Sequence, residues 1–91
     1  MRVTLAAGDD PVAAVRAATA ESVVLVFASD RDPVMMARDI AAIGPLAIES
    51  APVRRVNAVI AGPGSAADAV DAAVVFLDQA LSTTGQVITV A

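Results

Sequence analysis

The run VVLVFA, from Val23 to Ala28, constrains the fold most, because it holds six consecutive apolar residues without any alternation. A strand with one face in water alternates apolar and polar residues, whereas a parallel strand covered on both faces is apolar throughout. The run is also far too short to cross a bilayer as a helix. We therefore predict a strand from Val23 to Ser29, inside a sheet that carries helices on both faces.

Two Asp-Pro pairs mark the starts of helices on either side of this strand. Asp10 and Asp32 are good N-cap residues, and a proline suits the first helical position that follows each of them. The first pair predicts a helix at Pro11–Ala20. The second predicts a helix at Pro33–Ile43, which the dipeptide Gly44–Pro45 is expected to end.

The rest of the chain continues the same alternation of strands and helices. The other predicted elements are strands at Arg2–Ala6, Val53–Ala61 and Gln86–Val90 and a helix at Ala66–Leu81. Ser65 is the predicted N-cap of that last helix. Leu46–Pro52 is ambiguous between another helical turn beyond a kink and a short edge strand. The order β-α-β-α-β-α-β predicts a four-stranded, mainly parallel sheet in sequential order, with the first and last strands at its edges.

The composition leaves few side chains for chemistry. There is no cysteine, histidine, tyrosine or tryptophan, and all six basic residues are arginine. Disulfides, thiol chemistry, a histidine base and thiolate or imidazole metal sites are thereby excluded. We expect no metal and no cofactor.

Charge and hydrophobicity indicate which partners the chain can have. The net charge of −4 and the single basic pair, Arg54 and Arg55, argue against nucleic-acid binding. At least one of these two arginines is expected to be a solvated charge or to pair with a partner. With 57% hydrophobic residues in 91, a small domain leaves apolar surface outside, which is typical of a partner interface. We expect a cytoplasmic protein that self-associates, with no membrane partner, as a dimer or a tetramer.

Few residues stand out as candidate site residues, and each has a structural alternative. Ser29 follows the central strand, where open α/β sheets place ligands, but it also suits a turn. The stretch GPGS holds Gly62, Gly64 and Ser65, which could bind an anion before a helix or could form a tight turn. Asn57 lies in the middle of a strand, where a structural role is common. The paired acids, Asp9 with Asp10 and Asp30 with Asp32, are best explained as helix caps, and Met35 and Met36 as interface or core packing.

Three segments, taken in order, resemble the C-terminal half of the short-chain dehydrogenase/reductase family. RRVNAVIAGPG (Arg54–Gly64) resembles the family's IRVNAVAPG, and LAIESAP (Leu46–Pro52) resembles LALELAP. DAAVVFLDQALSTTGQVITVA (Asp71–Ala91) resembles the family's closing helix and strand. The resemblance implies a single small Rossmann-like three-layer domain over residues 1–91, which would end on the family's last strand.

The resemblance also implies what this sequence does not contain. The family's cofactor half, with its TGxxxGxG loop, has no counterpart here. Ser29 corresponds to the family's catalytic serine, whereas the tyrosine would fall near Arg31 or Asp32 and the lysine near Met35 or Met36. The chain has neither tyrosine nor lysine. A hydride-transfer enzyme of this type needs a phenol whose pKa is lowered by a nearby cation.

Our first hypothesis is therefore a non-catalytic, truncated relative of these reductases, a pseudoenzyme that acts through self-assembly or partner binding. The second is an accessory subunit of a hetero-oligomeric NAD(P)-dependent reductase, with a full-length partner that supplies the cofactor site. A neighbouring gene for a complete reductase, and its co-purification, would favour the second. The third is a small anion- or nucleotide-binding module built on GPGS.

Overall fold

The computed structural model describes residues 1–91 as a four-stranded sheet with three helices. The elements, in chain order, are β1 (Arg2–Leu5), α1 (Pro11–Ala17), β2 (Ser22–Phe27), α2 (Pro33–Ser50), β3 (Arg55–Ala61), α3 (Ala67–Gln79) and β4 (Val87–Val90). The strands lie in the order β1-β2-β3-β4, and every neighbouring pair is parallel. The predicted fold class and strand order are confirmed.

The central strand explains the three-layer architecture. All six residues of β2 are buried, and the five apolar ones after Ser22 alternate between two apolar clusters. Val23, Leu25 and Phe27 pack against α1 and α2, whereas Val24 and Val26 pack on the other side against α3. Both faces of this strand are therefore dry, which is why its sequence shows no alternation.

The two predicted Asp-Pro helix starts are confirmed. The Asp10 carboxylate accepts a hydrogen bond from the backbone N–H of Val12 at 3.0 Å, and Asp32 accepts one from that of Met35 at 3.1 Å. Each carboxylate occupies an N–H group that the first helical turn leaves free. These local bonds account for both acids without any chemical role.

The predicted end of the second helix is wrong. Helix α2 runs through Gly44 and Pro45 to Ser50, so the ambiguous segment Leu46–Pro52 is mostly helical and does not form a strand. Proline removes one intrahelical hydrogen bond, but burial of the residues on both sides of it holds the helix on the sheet. Ile43 is 1% exposed before the proline, and Leu46 and Ala47 are 4% and 3% exposed after it.

The N-cap predicted for the third helix is also wrong. Helix α3 begins after Ala66, whose side chain makes no capping bond, and Ser65 lies one position earlier. The buried residues Val70, Val74 and Leu77 hold α3 on the sheet. Packing, rather than a cap, therefore fixes the position of this helix.

Candidate functional site

The candidate site is a cleft of about 440 Å³ between the carboxyl ends of the strands and α2. Open parallel sheets place their ligands at this edge. The cleft is lined by Ser29, Arg31, Pro33, Met36, Ala37, Ile40, Ile60, Ala61, Gly62, Pro63 and Thr89. It is mostly apolar, and its polar side chains are two hydroxyls and one guanidinium. Of the residues that the sequence singled out as candidates, Ser29, Met36 and Gly62 line it.

Ser29 lies in an exposed turn directly after β2. Its hydroxyl is therefore available at the mouth of the cleft. No carboxylate, amine, imidazole or phenol lines the cleft to accept its proton. The lysine is expected near Met35 or Met36, and Met36 contributes an apolar wall to the cleft instead. With these side chains the cleft can hold a molecule by contact and hydrogen bonding, but it offers no general base.

Asn57 lies away from the cleft and is fully buried in β3. Its Nδ2 donates a hydrogen bond to the Thr83 carbonyl at 3.0 Å, and its Oδ1 accepts one from the Gln86 N–H at 3.0 Å. These bonds fasten the loop before β4 to the neighbouring strand. The geometry thus gives Asn57 a structural role.

The GPGS turn is fastened to the end of β4. The Ser65 hydroxyl donates to the carbonyl oxygens of Gly62 and Val90 at 2.7 and 2.9 Å, and the Gly62 N–H donates to the same Val90 oxygen at 2.9 Å. Gly64 has a φ of +74°, a conformation that favours glycine. The serine hydroxyl is thus occupied by backbone carbonyls, and Asp68 in the first turn of α3 adds a negative charge beside the turn.

A buried ion pair behind the cleft was missed by the sequence analysis. Arg31 and Asp39 are only 3% and 5% exposed, and Nη2 of the arginine lies 2.6 Å from the carboxylate Oδ2. The guanidinium also donates to the Ala6 and Asp9 carbonyls at 2.6 and 3.0 Å and lies over the Phe27 ring, 5.3 Å from its centroid. It therefore joins the ends of β1 and β2 to α2.

One signal in the sequence could have revealed this pair. Asp39 stands four residues before Ile43 and eight before Ala47, so it shares their face of α2. A carboxylate on the buried face of a helix requires a partner, because burial of an isolated charge is strongly unfavourable.

Arg54 and Arg55 both bind within the fold, which corrects the expectation that at least one of them is a solvated charge or pairs with a partner. Arg54 donates to the carbonyls of Ala18 and Ala20, just beyond α1, at 2.5 and 2.7 Å. Arg55 donates to carbonyls at the end of α3, which belong to Leu77, Asp78 and Ala80 at 3.2, 3.1 and 2.9 Å. A cation at a helix C-terminus satisfies carbonyls that have no partner within the helix. The pair therefore stabilises two helix ends.

Charged groups elsewhere are also used within the fold. Asp9 accepts a hydrogen bond from the Ala6 N–H at 2.9 Å, and Arg2 pairs with Asp71 across the surface at 2.5 Å. The N-terminal ammonium group, 2.8 Å from the Asp78 carboxylate, is the main cause that lowers the pKa of Asp78, and the neighbouring Ser22 hydroxyl adds to it.

No group of three or more His, Cys, Asp or Glu side chains is arranged to hold a metal ion. No helix combines the length and apolar character that a membrane span requires.

Comparison with known proteins agrees with the fold and the sequence resemblance. A family model described as SDR-like, short chain dehydrogenase-like protein, matches residues 4–90. No curated protein and no solved structure gives a significant match. The match covers nearly the whole parallel sheet and all three helices, so the chain belongs to the short-chain dehydrogenase-like family.

Proposed function

We propose that this chain acts by assembly with a second copy of itself and not by catalysis. The observation that carries the proposal is the free outer edge of β4, together with the apolar surface beside it. The last strand of the sheet is Val87–Val90, with the sequence VITV, and it has neither a charged residue nor a proline. An uncharged strand with an open edge tends to pair with another chain.

The apolar surface beside β4 comes from α3. Phe76 is 61% exposed, although it is a large aromatic residue, and Val75 is 52% exposed. Phe76 and Ile88 line one shallow depression of about 340 Å³ between α3 and β4. We call Val75, Phe76, Ile88 and the outer edge of β4 the β4 surface. Exposed aromatic residues beside apolar neighbours are enriched at the centre of protein interfaces.

The opposite edge of the sheet is built differently. β1 carries Arg2, which is paired with Asp71 of α3. A charged residue on a short edge strand opposes the addition of another strand. The contrast between the two edges supports β4 as the interface.

A second copy is the simplest occupant of the β4 surface. Two β4 strands related by a two-fold axis run antiparallel, so each outer edge pairs with its own copy and the assembly closes. A stable interface of this kind buries about 800 Å² on each partner, roughly a sixth of the 4968 Å² that one chain exposes.

The nicotinamide cofactor that the family implies does not fit Gly62, the glycine that lines the cleft. A dinucleotide site needs a glycine whose bare backbone can approach a phosphate at a helix N-terminus. A Cβ at Gly62 would already lie 2.7 Å from the Val90 carbonyl oxygen, so this position is occupied by the chain's own backbone. Together with the inward Ser65 hydroxyl and the Asp68 carboxylate, this supports a chain that binds no NAD(P) by itself.

The experiment places a charge on the proposed interface and on a matched control surface. Phe76→Glu should convert the assembly to a monomer in size-exclusion chromatography with light scattering, because the buried charge would have no partner. Val34→Glu is the control, since Val34 is 78% exposed on α2, on the other face of the sheet. A Phe76→Glu variant that remains assembled, while Val34→Glu dissociates, would show that the β4 surface is not the interface.

A further inference from the structure

The cleft beside α2 contains a donor that the fold itself does not satisfy. Arg31 lines the cleft and is 3% exposed, yet its Nε has no hydrogen-bond partner. The Nη atoms of the same guanidinium bind Ala6, Asp9 and Asp39. Buried donors are nearly always paired in folded proteins, so an unpaired one in the wall of a cleft indicates a missing acceptor.

Charge around the cleft selects a neutral acceptor. The Arg31 guanidinium is already neutralised by the Asp39 carboxylate. Asp30 and Asp32 are exposed on either side of Arg31, and no other basic residue lines the cleft. The one cation in the cleft wall is already paired, so an anionic ligand would find no free positive charge to balance its own.

The size and lining of the cleft define the rest of the ligand. A volume of about 440 Å³ lies within the range of small-molecule sites. Met36, Ile40 and Ile60 offer an apolar wall, and the hydroxyls of Ser29 and Thr89 can accept a hydrogen bond as well as donate one. This combination suits an aliphatic body that carries one acceptor and one donor.

We propose that the cleft binds a small neutral amide with an aliphatic body. The amide oxygen accepts a hydrogen bond from Arg31 Nε, and the amide N–H donates to a hydroxyl at the mouth. Arg31 Nε is itself buried, so binding requires a local movement that exposes it, and the exposed turn of Ser29 and Asp30 directly precedes Arg31. The ligand is held and not converted, because no general base lines the cleft.

The test uses ε-caprolactam as the probe, in a ¹⁵N NMR titration of the intact protein. We expect saturable shifts of the Arg31 Nε–H signal and of the Ser29 and Gly62 amides, with a dissociation constant of about 1 mM for so small a ligand. Hexanoate, which has a similar aliphatic body but a negative charge, should bind at least about tenfold more weakly. An unchanged Arg31 Nε–H signal, or hexanoate that binds as tightly, would overturn the proposal.

A matched pair of variants locates the ligand. Ala37 lines the cleft, whereas Ala41 is exposed on the same helix and does not. Ala37→Leu should fill the cleft and weaken caprolactam binding about tenfold, and Ala41→Leu should leave it unchanged. If Ala37→Leu and Ala41→Leu weakened caprolactam binding equally, the ligand would not bind in this cleft. The NMR titration detects ligand binding in monomers and assemblies alike, so its result is independent of the assembly proposal.

Discussion

The buried pair between Arg31 and Asp39 provides the sharpest test of how this fold is held together. Asp39→Asn preserves the shape of the side chain but removes its charge, and the guanidinium stays 3% exposed without a counter-ion. Loss of one partner of a buried pair typically costs about 3–5 kcal/mol. A chain of 91 residues has a total stability of about 5–14 kcal/mol, so this single change removes a large fraction of it.

Urea unfolding followed by far-UV circular dichroism measures this loss, because the chain has no tryptophan or tyrosine for fluorescence. The Asp39→Asn midpoint should fall by at least about 1 M urea at an unchanged slope. Glu49→Gln is the control, since the Arg16–Glu49 pair is 64% and 52% exposed and its loss should cost less than about 1 kcal/mol. If Asp39→Asn is no more destabilising than Glu49→Gln, the pair does not join the strands to α2 as described.

Four further predictions each concern the substitution of one residue. Gly62→Ala should destabilise the fold by about 1–3 kcal/mol in urea unfolding, since its Cβ would lie 2.7 Å from the Val90 oxygen. Gly44→Ala, in the interior of α2 with open space around it, should stabilise the fold by about 0.5–1 kcal/mol. A Gly62→Ala variant that is more stable than the Gly44→Ala variant would contradict the structure. Asn57→Ala should cost about 1–3 kcal/mol and should increase amide hydrogen exchange in β4, because two partly buried backbone groups lose their partner. Asp78 has a lowered pKa, so its ion pair stabilises the fold above pH 3.8 and is lost as the pH falls further. Asp78→Asn should therefore make the free energy of unfolding less dependent on pH in the acid range. An unchanged pH dependence would show that the pair of Asp78 with the N-terminal ammonium group does not contribute to stability.

Local signals were enough to predict the architecture. The apolar run of β2 and the caps at Asp10 and Asp32 act within a few residues, and the structure retains each of them. Parallel strand order then follows, because every connection contains a helix long enough for a crossover. For these elements local preference and global packing agree.

The features that were missed depend on contacts distant in sequence. Pro45 stays inside a helix because Ile43 and Leu46 are buried against the sheet, and no local rule contains that contact. Arg31 finds Asp39 and two carbonyls of the β1–α1 loop. The position of the candidate site at the strand ends was therefore predicted, whereas its cleft and the identity of Arg31 as the partner of Asp39 required the assembled fold.

The mass of the purified wild-type chain in solution tests the central claim most directly. Sedimentation velocity at micromolar concentration should give a species of two or four times the 9.1 kDa chain mass, held by the uncharged edge of β4 and by Phe76. A single species at the monomer mass would contradict assembly with a second copy. In that case the accessory-subunit hypothesis, with a complete reductase as the partner, would replace it.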